Sequence, residues 1–428
     1  MFNALTGYPP GVRTFSERVI SASKRIEMKR LSAFFLAIIA ALLLAGCGNK
    51  GNSAPAPTDV KVVPGDSSAT VSWTMAPGVE YWVFVAAANS VTPENCSTLT
   101  GCRTAVNATS PQVVSALING TAYSFTVNGR TGGGPGGPGS LSISTVPRLA
   151  GTSWSVGTSM GANDLRGVTF GTAFVAVGTQ GAMFSSADAI TWTALKSGAS
   201  SDLNATVYGG TYVAAGAGGA MLSSSDAITW TPRSSATPNN IYALATNGNG
   251  GYLAAGANGT ILYSNDSGVN WTAANSGTAN DLHGLAYGNG RYVAVGANGT
   301  LLTSTDAAAW QAVTGQSSSD LIGVAYGLLS STLKSQFVAI GANGTLTTST
   351  DGVTWTPQLP IVTTNTLAAV TYGRQFVAVG GNGSIFTSTD GINWQAQTSG
   401  TSSNLNAATH NLYGYSVVGA AGVNLTAF

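Results

Sequence analysis

Charge is what this chain has least of: Asp, Glu, Lys and Arg together make up 8% of 428 residues, against ~25% in ordinary globular domains. With a formal net charge of +1, there is no electrostatic footprint for a nucleic-acid partner. Histidine is limited to His283 and His410 and cysteine to Cys47, Cys96 and Cys102, too few and too scattered for a metal centre. Glutamate is missing from residue 151 onward. The longest apolar run, Leu31 to Leu44, is shorter than the ~20 residues a spanning helix needs. What fills the composition instead is Gly, with 56 residues, together with Ser, Thr and Asn. That mix suits many short strands joined by tight turns.

The N-terminus carries an address. Met28-Lys29-Arg30 begins a short positive region, the apolar run follows, and Ala45-Gly46-Cys47 ends it; this is the layout of a signal peptide. Leu44-Ala45-Gly46-Cys47 resembles the bacterial lipobox. The resemblance implies an acylated Cys47 as the first mature residue, held to the membrane through its lipid anchor alone. With Gly48 and not Asp behind it, the resemblance implies an outer-membrane destination in a Gram-negative cell. An anchor helix with an incidental cysteine is the other reading. Residues 1–27 precede a complete signal peptide, which points to a mis-assigned start codon. Without residues 1–46, Lys and Arg fall from 17 to 11 and acids from 16 to 14, a net charge of about −3. Cys96 and Cys102 then remain, six residues apart. In an exported chain two such cysteines are expected to pair, closing a small loop worth about 2–3 kcal/mol on the chain-entropy model. No histidine stands near enough in sequence to offer a metal site instead.

Residues 47–58 are the lipidated Cys and a Gly-, Asn- and Pro-rich stretch that reads as a flexible tether. Strand alternation begins at Val60, and about seven short strands fall within residues 59–147, the pattern of a β-sandwich. Trp73 sits early in this stretch, and Leu117-Ile118-Asn119-Gly120-Thr121-Ala122-Tyr123 brings Leu and Tyr to a fixed spacing. These features resemble a fibronectin type III domain. The resemblance implies a core Trp73, a Tyr123 hydroxyl pinning the neighbouring corner, and a spacer or protein-binding role. Asn128-Gly129-Arg130 is a bare three-residue match to an adhesive motif and reads as loop.

From Trp154 the chain repeats. Tryptophans at 154, 192, 230, 271, 310, 355 and 394 lie 38 to 45 residues apart, and a period near ~40 with strand patterning predicts propeller blades. An aliphatic residue stands eleven positions after each Trp (Leu165, Leu203, Ile241, Leu282, Leu321, Leu405), or twelve in the case of Leu367. Each unit reads as four strands, with a Gly-flanked hairpin such as Gly296-Ala297-Asn298-Gly299 whose two glycines suit positive φ. The C-terminal stretch from Leu405 supplies three strands and Trp154 to Gly157 a fourth. The expected fold is therefore all-β: the sandwich, then a seven-bladed β-propeller over 152–428 whose two ends share one blade.

Six units carry a Ser-x-Asp turn before the Trp, at Asp188, Asp226, Asp266, Asp306, Asp351 and Asp390. These turns resemble the Asp-box, or BNR repeat, of sialidase-like and photosystem-assembly-factor-like propellers. Only Ser264 to Trp271 has the full family spacing; the other five are one residue shorter between Asp and Trp. The role expected of them is structural, with Ser and Asp side chains bonding backbone N–H groups while Trp packs between sheets.

The resemblance raises glycoside hydrolysis, which needs two carboxylates or a Tyr nucleophile helped by Glu. Residues 151–428 hold ten acids, all Asp; six are in these turns, and Asp164, Asp202, Asp281 and Asp320 share one slot before the first strand of a unit. The arginine signature of sialidases is absent, and Arg166, Arg233, Arg291 and Arg374 fall in different slots. A dense acidic loop for Ca²⁺ is also lacking. No cofactor, metal or catalytic residue is expected, and hydrolysis of extracellular glycans is the alternative to a non-enzymatic binding or scaffold module. One slot does vary from unit to unit, the residue after the strand-initiating aliphatic: Arg166, Asn204, Tyr242, His283, Ile322, Ala368 and Asn406. In a propeller these would ring one mouth of the channel. Either Arg166, Asn204, Tyr242, His283 and Asn406 line a mouth for an envelope or extracellular protein or glycan, or the slot is a solvated rim free to drift. The stretch from Gly327 to Gln336 is longer than its equivalents and is expected to be a loop on the opposite face.

Overall fold

The structure is a computed structural model that describes residues 51–313, 318–329, 334–359 and 362–428. Cys47 and the signal segment lie outside the described residues. Every described element is a strand or a short 3-10 turn, in keeping with the period-2 patterning and the Gly-rich turns of the sequence.

Two sheets form the N-terminal unit. One runs Ser53–Ala54, Tyr123–Thr131, Val79–Ala86, Arg103–Ala108, with Ile143–Thr145 also pairing onto Tyr123–Thr131; the other runs Lys61–Gly65, Ser68–Ser72, Gln112–Val114. Period-2 alternation puts Tyr81, Val83 and Val85 into the core beside Val71, Trp73, Phe125 and Val127. Tyr123 accepts the Ile118 N–H at its hydroxyl, 3.2 Å away. Cys96 and Cys102 are disulfide-bonded, with Cα atoms 5.5 Å apart, and cover the far side of Phe84. One expectation needs correction. Ser53–Ala54, inside the presumed tether, is a strand against Gly129–Arg130, because the end of that long strand offers backbone groups that a two-residue segment satisfies. Ser124 and Thr126 are as buried as Phe125 and Val127. Loops fold over that face, and the two hydroxyls donate to Ala88 O (2.6 Å) and Ser140 O (2.8 Å).

From residue 155 onward the described residues form seven four-stranded antiparallel sheets, each with its strands in simple up-and-down order. The last combines Leu405–His410, Tyr415–Gly419 and Asn424–Ala427 with Ser155–Val156, through the pairs Leu425–Val156 and Thr426–Ser155. Inner strands pack each on the next, and Leu405–His410 packs on Leu165–Phe170. The close approach needs small residues: a Cβ on Gly284 would stand 2.9 Å from Val295 Cγ2 and 3.0 Å from Ile322 O of the next sheet. Of the two hairpin glycines, only Gly299 has positive φ (66°). Gly296 is extended at φ −167°; glycine is required there because a Cβ would fall 2.1 Å from Asp281 O. The described part of the stretch Gly327 to Gln336 is ladder rather than loop, since Gly327, Leu328 and Leu329 pair with Gln336, Ser335 and Lys334; residues 330–333 lie outside the described residues.

Each Asp turn closes on itself. Asp351 Oδ1 accepts the Ser349 hydroxyl (3.0 Å) and the N–H groups of Val353 (2.8 Å) and Thr354 (2.7 Å). The turn also packs sideways, Gly352 lying on Arg291 and Val293 of the preceding sheet. Charge-assisted bonds of this kind favour the ionised form. At Asp226 the N–H groups of Thr229 and Ile228 and the Ser224 hydroxyl bring the carboxyl from 3.8 to about 2; at Asp266 the Asn270 N–H and side chain do the same. A carboxyl whose folded value is depressed stabilises above its unfolded value and loses that contribution as pH falls through the folded one. The melting temperature should therefore drop steeply between about pH 4 and pH 2. The Asp226→Asn, Asp266→Asn double variant should melt lower at pH 7 and show a shallower acid limb. An unchanged limb would remove these turns from the account of acid stability.

Candidate functional site

In all seven sheets the pairing of the first two strands skips one residue, between Leu165 and Gly167, Leu203 and Ala205, Ile241 and Ala243, Leu282 and Gly284, Leu321 and Gly323, Leu367 and Ala369, and Leu405 and Ala407. The skipped residues are those of the variable slot. Each sits at a β-bulge at the start of an inner strand, a geometry that frees its side chain from the ladder and re-aims it.

The structure joins several of these residues. Arg166 Nη1 donates to Asn204 Oδ1 at 2.8 Å and lies 3.0 Å from Asp202 Oδ2. Asn204 Nδ2 donates to Ile241 O (2.9 Å), and Asn406 Nδ2 donates across the closing seam to Leu165 O (2.9 Å). Tyr242 and His283 stack with centroids 5.4 Å apart. In ring order Asn406, Arg166, Asn204, Tyr242 and His283 make a polar arc, within which Arg166 meets Asn204 and Tyr242 meets His283 by side chain, and Ile322 and Ala368 make an apolar one.

Beside this ring is a second set of contacts that the sequence held as a pattern without a role. In six of the seven sheets the residue two before the bulge reaches the tip of the preceding sheet's hairpin. Asp202 Oδ1 accepts the Gln180 N–H (2.9 Å), Asn240 that of Gly218 (2.9 Å), Asp281 that of Asn258 (2.9 Å), Asp320 that of Asn298 (2.8 Å) and Asn404 that of Asn382 (3.1 Å). Asp164 accepts the Ala421 N–H (2.9 Å) and so ties the last sheet to the first. The alternation of Asp and Asn in this slot was the available signal: both present an acceptor oxygen at the same reach.

The ten Asp of residues 151–428 are therefore all engaged in turns or latches. The four arginines do not converge. Arg233 bonds Ser223, Arg291 bonds Thr303, and Arg374 lies 3.3 Å from Asp66 of the N-terminal unit. His410 is at the far end of its strand from the ring, beside Thr371 and Tyr415, and burial pulls its pKa below the usual value. No group of three His, Cys, Asp or Glu forms a metal site among the described residues.

The ring and the N-terminal unit occupy opposite ends of the inner strands. Arg374 and Gln375 belong to the turn after Leu367–Tyr372, and Gln375 Nε2 donates to Ala150 O at 2.6 Å. The N-terminal unit is held there, away from the bulges.

These features define a β-propeller of repeated blades. No protein-family model and no curated protein matches the chain. Among solved structures it is similar to YCF48 bound to D1 peptide (TM-score 0.53, 19% identity, 64% of this chain and 94% of that one). It is also similar to YCF48 from Cyanidioschyzon merolae (0.51, 18%, covering 64% and 98%). The WD40 repeats of RRP9 share the fold at 9% identity (0.52, covering 65% and 98%).

Proposed function

We propose that this chain is a non-enzymatic binding module of the bacterial envelope. In this reading Cys47 carries the lipid, residues 59–147 are a fibronectin type III spacer, and a seven-bladed propeller presents its bulge ring to an extended segment of a protein partner. The observation that carries the proposal is the contrast between slots. Glycines, latches, Asp turns and core positions repeat from sheet to sheet, whereas the bulge residues differ and are held on one rim clear of the N-terminal unit. A protein partner is preferred over a glycan because a propeller of the same fold has been captured with a peptide. The lipobox-like Leu44-Ala45-Gly46-Cys47 and the paired Cys96 and Cys102 support export to an oxidising compartment.

The test is an envelope-extract pull-down followed by a peptide array with the full chain. Arg166→Ala, Tyr242→Ala, His283→Ala together should weaken capture at least about 100-fold, as loss of clustered Arg and Tyr anchors does, with an unchanged melting temperature. Equal affinity of the triple variant would end the mouth reading. Turnover of a glycoside panel by the unaltered chain would replace the binding module with a hydrolase.

A further inference from the structure

Six of the seven hairpin tips are capped by a side-chain oxygen from the next sheet; the tip at Asn343 is not. Its backbone matches the others, with φ 54° against 51° to 55° at Gln180, Asn258, Asn298, Asn382 and Ala421. Thr366 stands where the next sheet would supply Asp or Asn, and among the described residues no side chain accepts the Asn343 N–H. Asn343 and Thr366 are both exposed, so the donor faces solvent at the rim. Successive N–H groups in a turn with a left-handed residue form a concave anion seat, and the equivalent seats show what fits: a carboxylate or amide oxygen at 2.8–3.1 Å.

The surroundings of this seat differ from those at the first seam. At the first seam, Arg166 contacts both the cap, Asp202, and the next bulge residue, Asn204. The corresponding positions at this seam are Ile322, Thr366 and Ala368. An internal ion pair and amide are thus replaced by two apolar side chains and an unused donor. We propose that the Asn343 tip binds a carboxylate of the partner segment, with the adjoining aliphatic group of the ligand resting on Ile322 and Ala368. The proposal rests on the mouth reading and adds to it a polarity: the carboxylate lies on the apolar arc, opposite Arg166. A terminal carboxylate and an Asp or Glu side chain offer the same chemistry.

The experiment is amide NMR of the full ¹⁵N-labelled chain titrated with three probes: N-acetyl-leucine, N-acetyl-leucinamide, and N-acetyl-glutamate amidated at its α-carboxyl. The Asn343 amide is expected to shift with N-acetyl-leucine and not with the amide. A shift with the third probe as well would admit side-chain carboxylates, and its absence would confine the seat to chain termini. In Thr366→Asp the chain supplies its own cap, so the response should vanish while the melting temperature rises; Thr366→Ala, which leaves the donor open, should keep it. No Asn343 response to any carboxylate, or a response that survives Thr366→Asp, overturns the proposal. The outcomes separate from those of the mouth reading. Peptide capture that withstands Thr366→Asp but is lost in the Arg166, Tyr242, His283 variant removes only the carboxylate seat. Capture indifferent to the triple variant, with an intact N-acetyl-leucine response, removes only the polar arc.

Discussion

A Gly296→Val chain is expected to lose cooperative folding of the propeller, at a cost of about 4 kcal/mol or more, the range reserved for overpacking against atoms that cannot yield. The backbone at Gly296 is extended, which valine adopts readily, so the effect does not come from φ. It comes from the carbonyl of Asp281, 2.1 Å from where the Cβ would stand, with Leu282 Cα 3.0 Å away. That carbonyl accepts the Ala297 N–H at 2.9 Å, and moving it would break this bond and the adjoining latch to Asn258. Gly277→Val is the control: φ is 73° and nothing lies within 4 Å of the added Cβ, so only the left-handed backbone penalty of about 1–2 kcal/mol applies. Denaturant unfolding of both variants reads the difference. Equal losses would mean that conformation, not contact, keeps glycine at Gly296.

Tyr415→Ala should be nearly as damaging, by about 3–5 kcal/mol, the usual cost of emptying a large aromatic site. Its ring is 2% exposed and packs with Trp154, 6.4 Å between centroids, beside Ala150, Val377 and Leu425. Its hydroxyl donates to Gln375 O (2.7 Å) and accepts the N–H groups of Arg374 and Gln375 (3.2 Å each). Those two residues hold the N-terminal unit through Asp66 and Ala150 O, so the substitution acts on both units. Calorimetry of Tyr415→Ala should resolve two transitions, and that of the unaltered chain one. Tyr415→Phe keeps the ring, and its cost should be the about 1–3 kcal/mol of leaving buried backbone groups unmatched. A single, unshifted transition in Tyr415→Ala would show that this tyrosine does not couple the units.

The repeated all-β architecture was legible because its cause is local. Tryptophans near ~40-residue intervals, hairpin glycines and Ser-x-Asp turns each answer to bonds made within a few residues, such as Ser349 and Asp351 with Val353 and Thr354. The variable slot was legible for the same reason, since a register fixed by Leu203 or Leu282 shows at once which neighbour fails to repeat. The reason for glycine at Gly296 was misread, because periodicity shows that a residue is small without showing what it approaches. Ser53–Ala54 was taken for tether because a two-residue strand has no period to detect.

By itself the sequence determined the strand repeat and the self-closing Asp turns, both consequences of short-range backbone chemistry, and it placed every acid of residues 151–428 in a repeated position. Tertiary structure decided what happens between repeats. It made the Asp or Asn before six of the inner strands a latch to a hairpin 22 or 23 residues away, or 257 at the closing seam. It also joined Asn406, Arg166 and Asn204 into one arc and left the Asn343 donor open opposite them. Those contacts depend on how sheets stack around a common axis, and stacking is a property of surfaces that meet only once the chain has folded.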